Sequence, residues 1–401
     1  AGGLAPTGLA QDGEVEDYRV TVKAASGTVA PNDLLIYYGF PSLINGAAGN
    51  VTTAAESFAA YDIVVLGDGL ADPAHPDAAN TALILANAAT SQTRFFGYID
   101  LGVSTQNLSL PEVSQRISQW LSLGADGIFL DDFGYDFGTD RVRQINAVGL
   151  AHQHGLPVIA NGFFVDDVLS NEQDLTFNPF SFANRLTAAD FYLFESYQIQ
   201  EGSPVSGATW REKADALEAY RASLGIQVLA VTTNDADNTF SQSQFDYGWY
   251  SALLDGYEGF GWGEYQFSSV DSTAPFRPRP SVNPGTSFLS DVTTFGNAFQ
   301  RTTNTGTVTV DPSVPSASFG NLVADLVMNS VTANGKTTLT VNYEIQNTVV
   351  TGPVTLRFVQ SADASFGVGD TTLSAVTISN AADLTVGSHS KTFTIGSLAG
   401  Q

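Results

Sequence analysis

The chain has 401 residues, 43% of them apolar, with 16 Lys and Arg against 41 Asp and Glu and a formal charge of −25. That length holds one large α/β domain plus a smaller module, and the apolar fraction is enough for real cores. The charge leaves no basic face to neutralise phosphates, which excludes nucleic acid and favours cationic or neutral partners.

Cysteine is absent, so disulfides and thiolate metal sites are excluded, and His75, His152, His154 and His389 are not spaced like a zinc site. Catalysis, if present, falls to carboxylates, and no cofactor is expected. No run of about 18 apolar residues marks a transmembrane helix. The opening "AGGLAPTGLAQ" lacks the charged and apolar regions of a signal peptide. Together with the chain's end, it suggests a piece excised from a longer secreted or cell-surface protein.

Residues 1–30 contain "DGEVEDYRVTV", an acidic turn leading into an alternating strand. From residue 31 a β/α alternation begins. Strands are expected at Leu34–Tyr38, Asp62–Leu66, Phe95–Leu101, Gly127–Asp131, Pro157–Asn161, Phe191–Glu195, Gln227–Thr232 and Gly259–Trp262. Between them lie helical stretches near Asn80–Ala89, Asp140–His154, Trp210–Leu224 and Gln242–Leu254. A further helix, "SLPEVSQRISQWLSLG", carries Ser109 as cap, Pro111 and Glu112 in its first turn, and Gly124 as its stop.

Eight strands alternating with helices predict an α/β fold, a (β/α)8 TIM barrel over residues 31–316. No Gly-rich phosphate loop follows the first strand, which argues against a dinucleotide-binding sheet. Residues 270–288, with "APFRPRP", read as a wrapping or linking segment, and "FGNAFQRTTNTGTVTVDP" reads as a hairpin turning at Asn304–Gly306. From about Ser318 helix signals vanish. Alternating runs at Thr338–Ile345, Val354–Val359, Ala375–Ile378 and Lys391–Ile395 predict a small all-β antiparallel sandwich over residues 317–401.

Active sites of such barrels stand at the C-terminal ends of the strands. Reading there collects Tyr38, Asp68, Asp100, Asp131 with Asp132, Asn161, Glu195, Asn234 with Asp235, and Glu264 after Trp262. Paired carboxylates equip a glycoside hydrolase: one acid protonates the leaving oxygen and the other attacks or activates water. Tyr38, Tyr135, Tyr197 and Trp262 offer flat faces for sugar rings. Asp131 is the leading candidate, because it shares strand parity with Phe129 and opens a Gly-containing loop. Glu195 ends the otherwise apolar "DFYLFESYQ". For Asp132 and Asp136 the structural reading as loop-holding acids outweighs the catalytic one, and Glu264 could simply close the barrel. His152 and His154 sit where they complement a helix C-terminus. "NDADNTF" has carboxylates at i and i+2 and resembles a fragment of a calcium loop, without the Gly and distal Glu of an EF-hand.

The motifs "FGYIDLG", "ISQWLSLGADGIFLDDFGYDFG", "VIANGF" and "FYLFESY", in that order, resemble the endo-α-1,4-polygalactosaminidase-like barrels of glycoside hydrolase family 114. The resemblance covers about residues 33–312. It implies a retaining enzyme with Asp131 as nucleophile and Glu195 as acid/base, acting on galactosamine-containing polysaccharide. A partly cationic polymer suits residues 31–312, which hold 32 Asp and Glu against 11 Lys and Arg. The first 30 residues resemble the tail of a GEVEDY-type module, and the C-terminal pattern resembles CARDB-like sandwiches, so neighbouring modules or a surface assembly are expected. Two rival readings are a non-catalytic glycan-binding or structural surface protein, and a metal-dependent barrel lyase or isomerase. The second needs three or more inward carboxylates within coordination distance.

Overall fold

The computed structural model describes residues 28–335, 337–360 and 371–395. The GEVEDY-like stretch and the "GVGD" turn lie outside the described residues. Contacts divide the chain into two units. One comprises Ala1–Val282, Val292–Gln300 and Thr309–Ser318, the other Asn283–Asp291, Arg301–Val308 and Phe319–Gln401.

The first unit is built on a closed parallel barrel. Its strands are β1 (Asn32–Tyr37), β2 (Ile63–Leu66), β3 (Arg94–Asp100), β4 (Gly127–Asp131), β5 (Val158–Asn161), β6 (Phe191–Glu195), β7 (Gln227–Val231) and β8 (Gly259–Gly261). Each pairs with the next in sequence, and β8 closes on β1 through Asn32–Gly259 and Asp33–Phe260. Nearly every strand residue is buried, as expected of parallel strands covered on both faces. This is the (β/α)8 barrel that the alternation predicts.

The expected helices form as α2 (Ala78–Leu85), α3 (Leu110–Leu123), α4 (Arg141–His152), α6 (Gly207–Leu224) and α7 (Gln242–Asp255). In α3 the Ser109 side chain and Glu112 complete a reciprocal capping box, and Gly124 turns left-handed at φ 92°. Two short helices go unsignalled by periodicity: α1 (Val51–Phe58), capped by the Asn50 side chain on Thr52 and Thr53, and α5 (Val165–Leu169).

Side chains alternate along each strand, so every second one enters the barrel. Leu34, Ile36, Ile63, Val65, Phe96, Phe129, Ile159, Phe191, Leu193, Leu229 and Val231 fill the interior as one cluster. Gly97 faces the other way, where Trp120 of α3 lies so close that an added Cβ would come within 2.0 Å of its ring. Trp120 is pinned there by its indole N–H on the Tyr98 carbonyl, 3.0 Å away.

After the barrel, β9 (Thr293–Phe295), β10 (Ala298–Thr302), β11 (Gly306–Asp311) and β12 (Ser316–Asn321) form a four-stranded sheet in that order. The β10–β11 turn falls at residues 303–305, where the Thr/Asn/Gly run places it. In the second unit β13 (Asp325–Ala333), β14 (Thr338–Gln346) and β17 (Gly387–Thr394) make one antiparallel sheet, and β15 (Val354–Gln360) pairs with β16 (Thr371–Ile378) in another. Val341, Tyr343 and Ile345 from the first sheet share a core with Phe358 and Ile378 from the second. That is the predicted sandwich.

Candidate active site

One residue pair beyond the packed interior layer, the inward parity of four strands turns polar. Tyr98 follows Phe96 on β3, Asp131 follows Phe129 on β4, Asn161 follows Ile159 on β5, and Glu195 follows Leu193 on β6. Tyr38 stands at the same level after Ile36. All five are half-buried, as a layer between core and solvent must be.

Asn161 holds the two acids together. Its Nδ2 donates to Asp131 Oδ1 at 2.8 Å and to Glu195 Oε2 at 2.9 Å. The two amide hydrogens diverge by about 120°, so oxygens bound at those lengths stand about 5 Å apart. Both donors of the amide are consumed by carboxylates, which fixes the amide's orientation, because a carbonyl oxygen there would face negative charge.

The Asp131 carboxyl is pushed up to about 7, chiefly by burial and then by the neighbouring Asp132 charge. Hydrogen bonds from Tyr98 and Asn161 hold it from rising further. The Tyr98 hydroxyl in turn is driven well above its usual range by burial and by the Asp131 charge, so it remains a donor. Tyr38 is driven the same way by burial, with the charges of Asp131, Glu195 and Asp132 adding to it. Its ring meets Tyr98 edge-on at 5.4 Å and Phe267 at 5.2 Å.

The chain turns sharply after Asp131. Asp132 adopts φ 52°, a left-handed conformation that costs a non-glycine residue about 1 kcal/mol or more. Its carbonyl accepts from the Thr139 hydroxyl, and Phe133 N–H reaches the Asn161 carbonyl at 2.8 Å. Burial raises the Asp132 carboxyl. Gly102 permits this approach, since a Cβ there would lie 2.9 Å from the Asp132 Cβ.

The other strand-end residues are spent elsewhere. Asp100 sits beside Asp131 in register but is buried, with Oδ1 accepting from Gly102 N–H (2.8 Å) and the Thr105 hydroxyl (2.6 Å). Asp68 is exposed on the rim, bound by Gln106 (2.6 Å) and Arg116 (2.7 Å). Tyr135 stacks on Phe177 at 5.1 Å and lies under the Arg141 guanidinium. Three sequence candidates offer no surface to a ligand. Tyr197 is fully buried, donating its hydroxyl to Asp255 at 2.8 Å, because left-handed Ser196 and Gln198 swing it among the helices. Trp262 is buried against Phe240 and Phe245, since Gly259 and Gly261 take the inward places of β8. Glu264 is buried, with Oε1 held by Arg277 Nε (2.9 Å) and Nη2 (2.6 Å).

His152 ends α4 and pairs through Nε2 with Asp190 at 2.9 Å, away from the acids. Asn234 accepts from Asp235 N–H and points its amide at Asn238 and Thr239, which closes the "NDADNTF" loop on itself. Among the described residues no three His, Cys, Asp or Glu side chains group as metal ligands, and no helix is long and apolar enough to cross a membrane.

Two features of the mouth go unread in the sequence. Tyr98 is passed over for Asp100, although it shares parity with Phe96. Lys213 on α6 reaches back to donate to the Phe163 carbonyl at 2.9 Å and stands over the Phe194 ring at 4.5 Å. Burial lowers its ammonium to about 8, with the Glu195 charge opposing that fall. No local pattern marks this lysine, whose partners all come from other elements.

No family model matches the chain, and no curated protein matches it in sequence. Among solved structures, the glycoside hydrolase domain of PelA from Pseudomonas aeruginosa is similar at 14% identity and a TM-score of 0.39, covering 61% of this chain and 99% of that one. Dihydropteroate synthase from Xanthomonas albilineans is similar at 13% identity and 0.33, covering 61% and 92%. The YdjI aldolase from Escherichia coli K12 is similar at 13% and 0.33, covering 58% and 75%. The choice of reaction rests on the side chains at the mouth. Those define a (β/α)8 barrel with a carboxylate pair bridged by one amide.

Proposed function

We propose that the barrel is a glycoside hydrolase that cleaves a polysaccharide with retention, using Asp131 and Glu195. The observation carrying this reading is the Asn161 amide shared by both acids. One amide reaching both carboxylates keeps them close, which supports the separation of about 5 to 5.5 Å of retaining pairs over the 6.5 to 9.5 Å that leaves room for a water in inverting ones. Both acids remain half-exposed, while Asp100, Asp68 and Glu264 are held by loops or cations.

Asp131 is the nucleophile in this reading. It attacks the anomeric carbon as Glu195 gives a proton to the leaving oxygen, and Glu195 then takes a proton from the water that releases the sugar. Tyr98 and Asn161 donate to the charged form of Asp131, and Tyr38 offers a ring at the same level. The rise of Asp131 to about 7 favours a second assignment with the two roles exchanged. The substrate is a galactosamine-containing or related polysaccharide, in keeping with the family resemblance and the acidic barrel. Such a substrate suits a secreted or surface-attached protein, with the sandwich as spacer or accessory.

The test uses an α-1,4-galactosamine polymer and an activated aryl glycoside of its sugar. Wild type is expected to cleave both with retention. Glu195→Gln keeps the first, leaving-group-releasing burst on the aryl glycoside, whose leaving group needs no proton, but turns over slowly because the water lacks its base, and Asp131→Asn loses both. The reverse pattern exchanges the roles. Turnover that survives both substitutions refutes the reading, and a protein that binds without cleaving is a glycan-binding module.

A further inference from the structure

Immediately past Asn161 the chain runs Gly162, Phe163, Phe164. Phe163 is 63% exposed and Phe164 is 53% exposed. The rings meet edge to face at 5.0 Å and 79°. Isolated apolar residues on a surface need no explanation, but two adjacent exposed phenylalanines just past the strand end that carries Asn161 form a patch.

The backbone beneath them is held at each step. Asn161 O accepts from Phe133 N–H at 2.8 Å, Gly162 O from the Tyr192 hydroxyl at 2.6 Å, and Phe163 O from Lys213 Nζ at 2.9 Å. Gly162 itself is pressed against α5, where a Cβ would come within 2.6 Å of Val168 Cγ2. The Lys213 ammonium lies 5.4 Å from the Phe163 ring and also faces Tyr192 and Phe194. Three consecutive carbonyls are thus fixed by side chains or backbone from three other elements. Ordering of this kind has no use for a ring that merely faces water, and it reduces the cost of binding on that ring.

Two residues of chain span at most about 7 Å. The Phe163 backbone therefore lies within about one pyranose length of the Asn161 backbone, whose side chain marks the point between the acids. We propose that Phe163 and Phe164 form a stacking subsite for the sugar next to the bond held between Asp131 and Glu195, with Lys213 as the positioning residue that fixes Phe163. The inference rests on the hydrolase reading for its occupant. The apolar C–H face of a pyranose lies on the phenyl face, and the fixed carbonyl of Phe163 keeps that face in one place.

The experiment measures steady-state kinetics and direct binding with the same α-1,4-galactosamine polymer and the aryl glycoside. Phe163→Ala with Phe164→Ala is expected to raise KM for the polymer about tenfold, an effect of the size that single aromatic stacking removes. The loss on the aryl glycoside is expected to be smaller by severalfold. Phe163→Trp retains polymer affinity. Lys213→Met raises polymer KM in the same direction, Lys213→Arg restores it, and Lys213→Met adds little to the Phe163→Ala variant. Both phenylalanines are exposed, so their loss leaves the core intact, which a thermal melt checks. Equal polymer binding by wild type and the double alanine variant overturns the subsite. Wild type that binds polymer without cleaving it, with binding lost in the double variant, refutes the hydrolase reading and leaves the subsite standing.

Discussion

Asn161 is the sharpest point at which to test the paired-acid geometry. Replacing it with Leu keeps the branched shape and volume while removing the two N–H donors, and it excludes the water that Ala would admit. Two carboxylates about 5 Å apart repel by about 3 kcal/mol at an effective dielectric constant of 20. A hydrogen bond to a charged group is worth about 1.5 to 3 kcal/mol, and Asn161 gives one to each acid. Loss of the bond to Asp131 therefore raises that carboxyl by about one to two pH units, at about 1.4 kcal/mol per unit.

In the intact site burial and the Asp132 charge push Asp131 up to about 7. As a nucleophile it works only when ionised, so kcat/KM rises with pH through about 7, and in Asn161→Leu that limb moves to about 8 or 9. At neutral pH the ionised fraction falls about five- to fiftyfold. The assay is the pH profile of kcat/KM, which reports the free enzyme, with thermal unfolding as the control for folding. If Asp131 is instead the acid, its titration forms the alkaline limb, and the substitution carries activity to higher pH. A limb that stays where the wild type has it, whatever the loss of rate, refutes the coupling through Asn161.

Asp131 also affects stability. Its folded value of about 7 lies above the unfolded 3.8, so its contribution is complete below 3.8 and lost as pH rises through 7. Asp131→Asn avoids that loss, up to about 4 kcal/mol, and is expected to raise Tm by several degrees at pH 8 with the gain fading toward pH 4. Tyr197→Phe removes a buried hydrogen bond to Asp255; denaturant unfolding should show a loss of about 1 to 3 kcal/mol, with kcat/KM of the folded enzyme unchanged. Gly97→Ala drives a methyl into Trp120 and is expected to cost about 3 kcal/mol or more. Because Trp120 holds the Tyr98 carbonyl, a shifted Trp fluorescence should accompany a displaced pH profile.

The barrel is legible in the sequence because parallel strands buried on both faces appear as uninterrupted apolar runs, such as Ile63–Leu66 and Gly127–Asp131. Asp131, Asn161 and Glu195 each close such a run and keep its inward parity, so they are readable too. Parity fails once a strand has ended. Tyr197 lies two residues past Glu195, as a continued strand would require for an inward side chain, yet two left-handed residues around it redirect the chain. Trp262 misleads for another reason: strand β8 is lined inside by glycine, and at Gly261 a Cβ would lie 2.3 Å from the Leu34 carbonyl. The bulky residues of that strand consequently face the helices.

Acids at the mouth look alike as letters and differ in what their oxygens already accept. A carboxylate has about four acceptor positions. Asp100 gives one oxygen to a backbone N–H and a hydroxyl, Glu264 gives one to an arginine fork, and Asp68 binds one donor on each oxygen. Those donors come from Gly102, Thr105, Arg277, Gln106 and Arg116, up to 48 residues away in sequence, and no local pattern discloses them. Glu195 takes a single donor from Asn161 through Oε2, leaving acceptor capacity directed at a half-exposed mouth. An acid with that capacity can exchange a proton with a substrate oxygen, whereas one already filled by a loop can only hold the loop. Occupancy of this kind sets Glu195 apart, whereas Asp131, with donors from Asn161 and Tyr98, is set apart by sharing the Asn161 amide with Glu195.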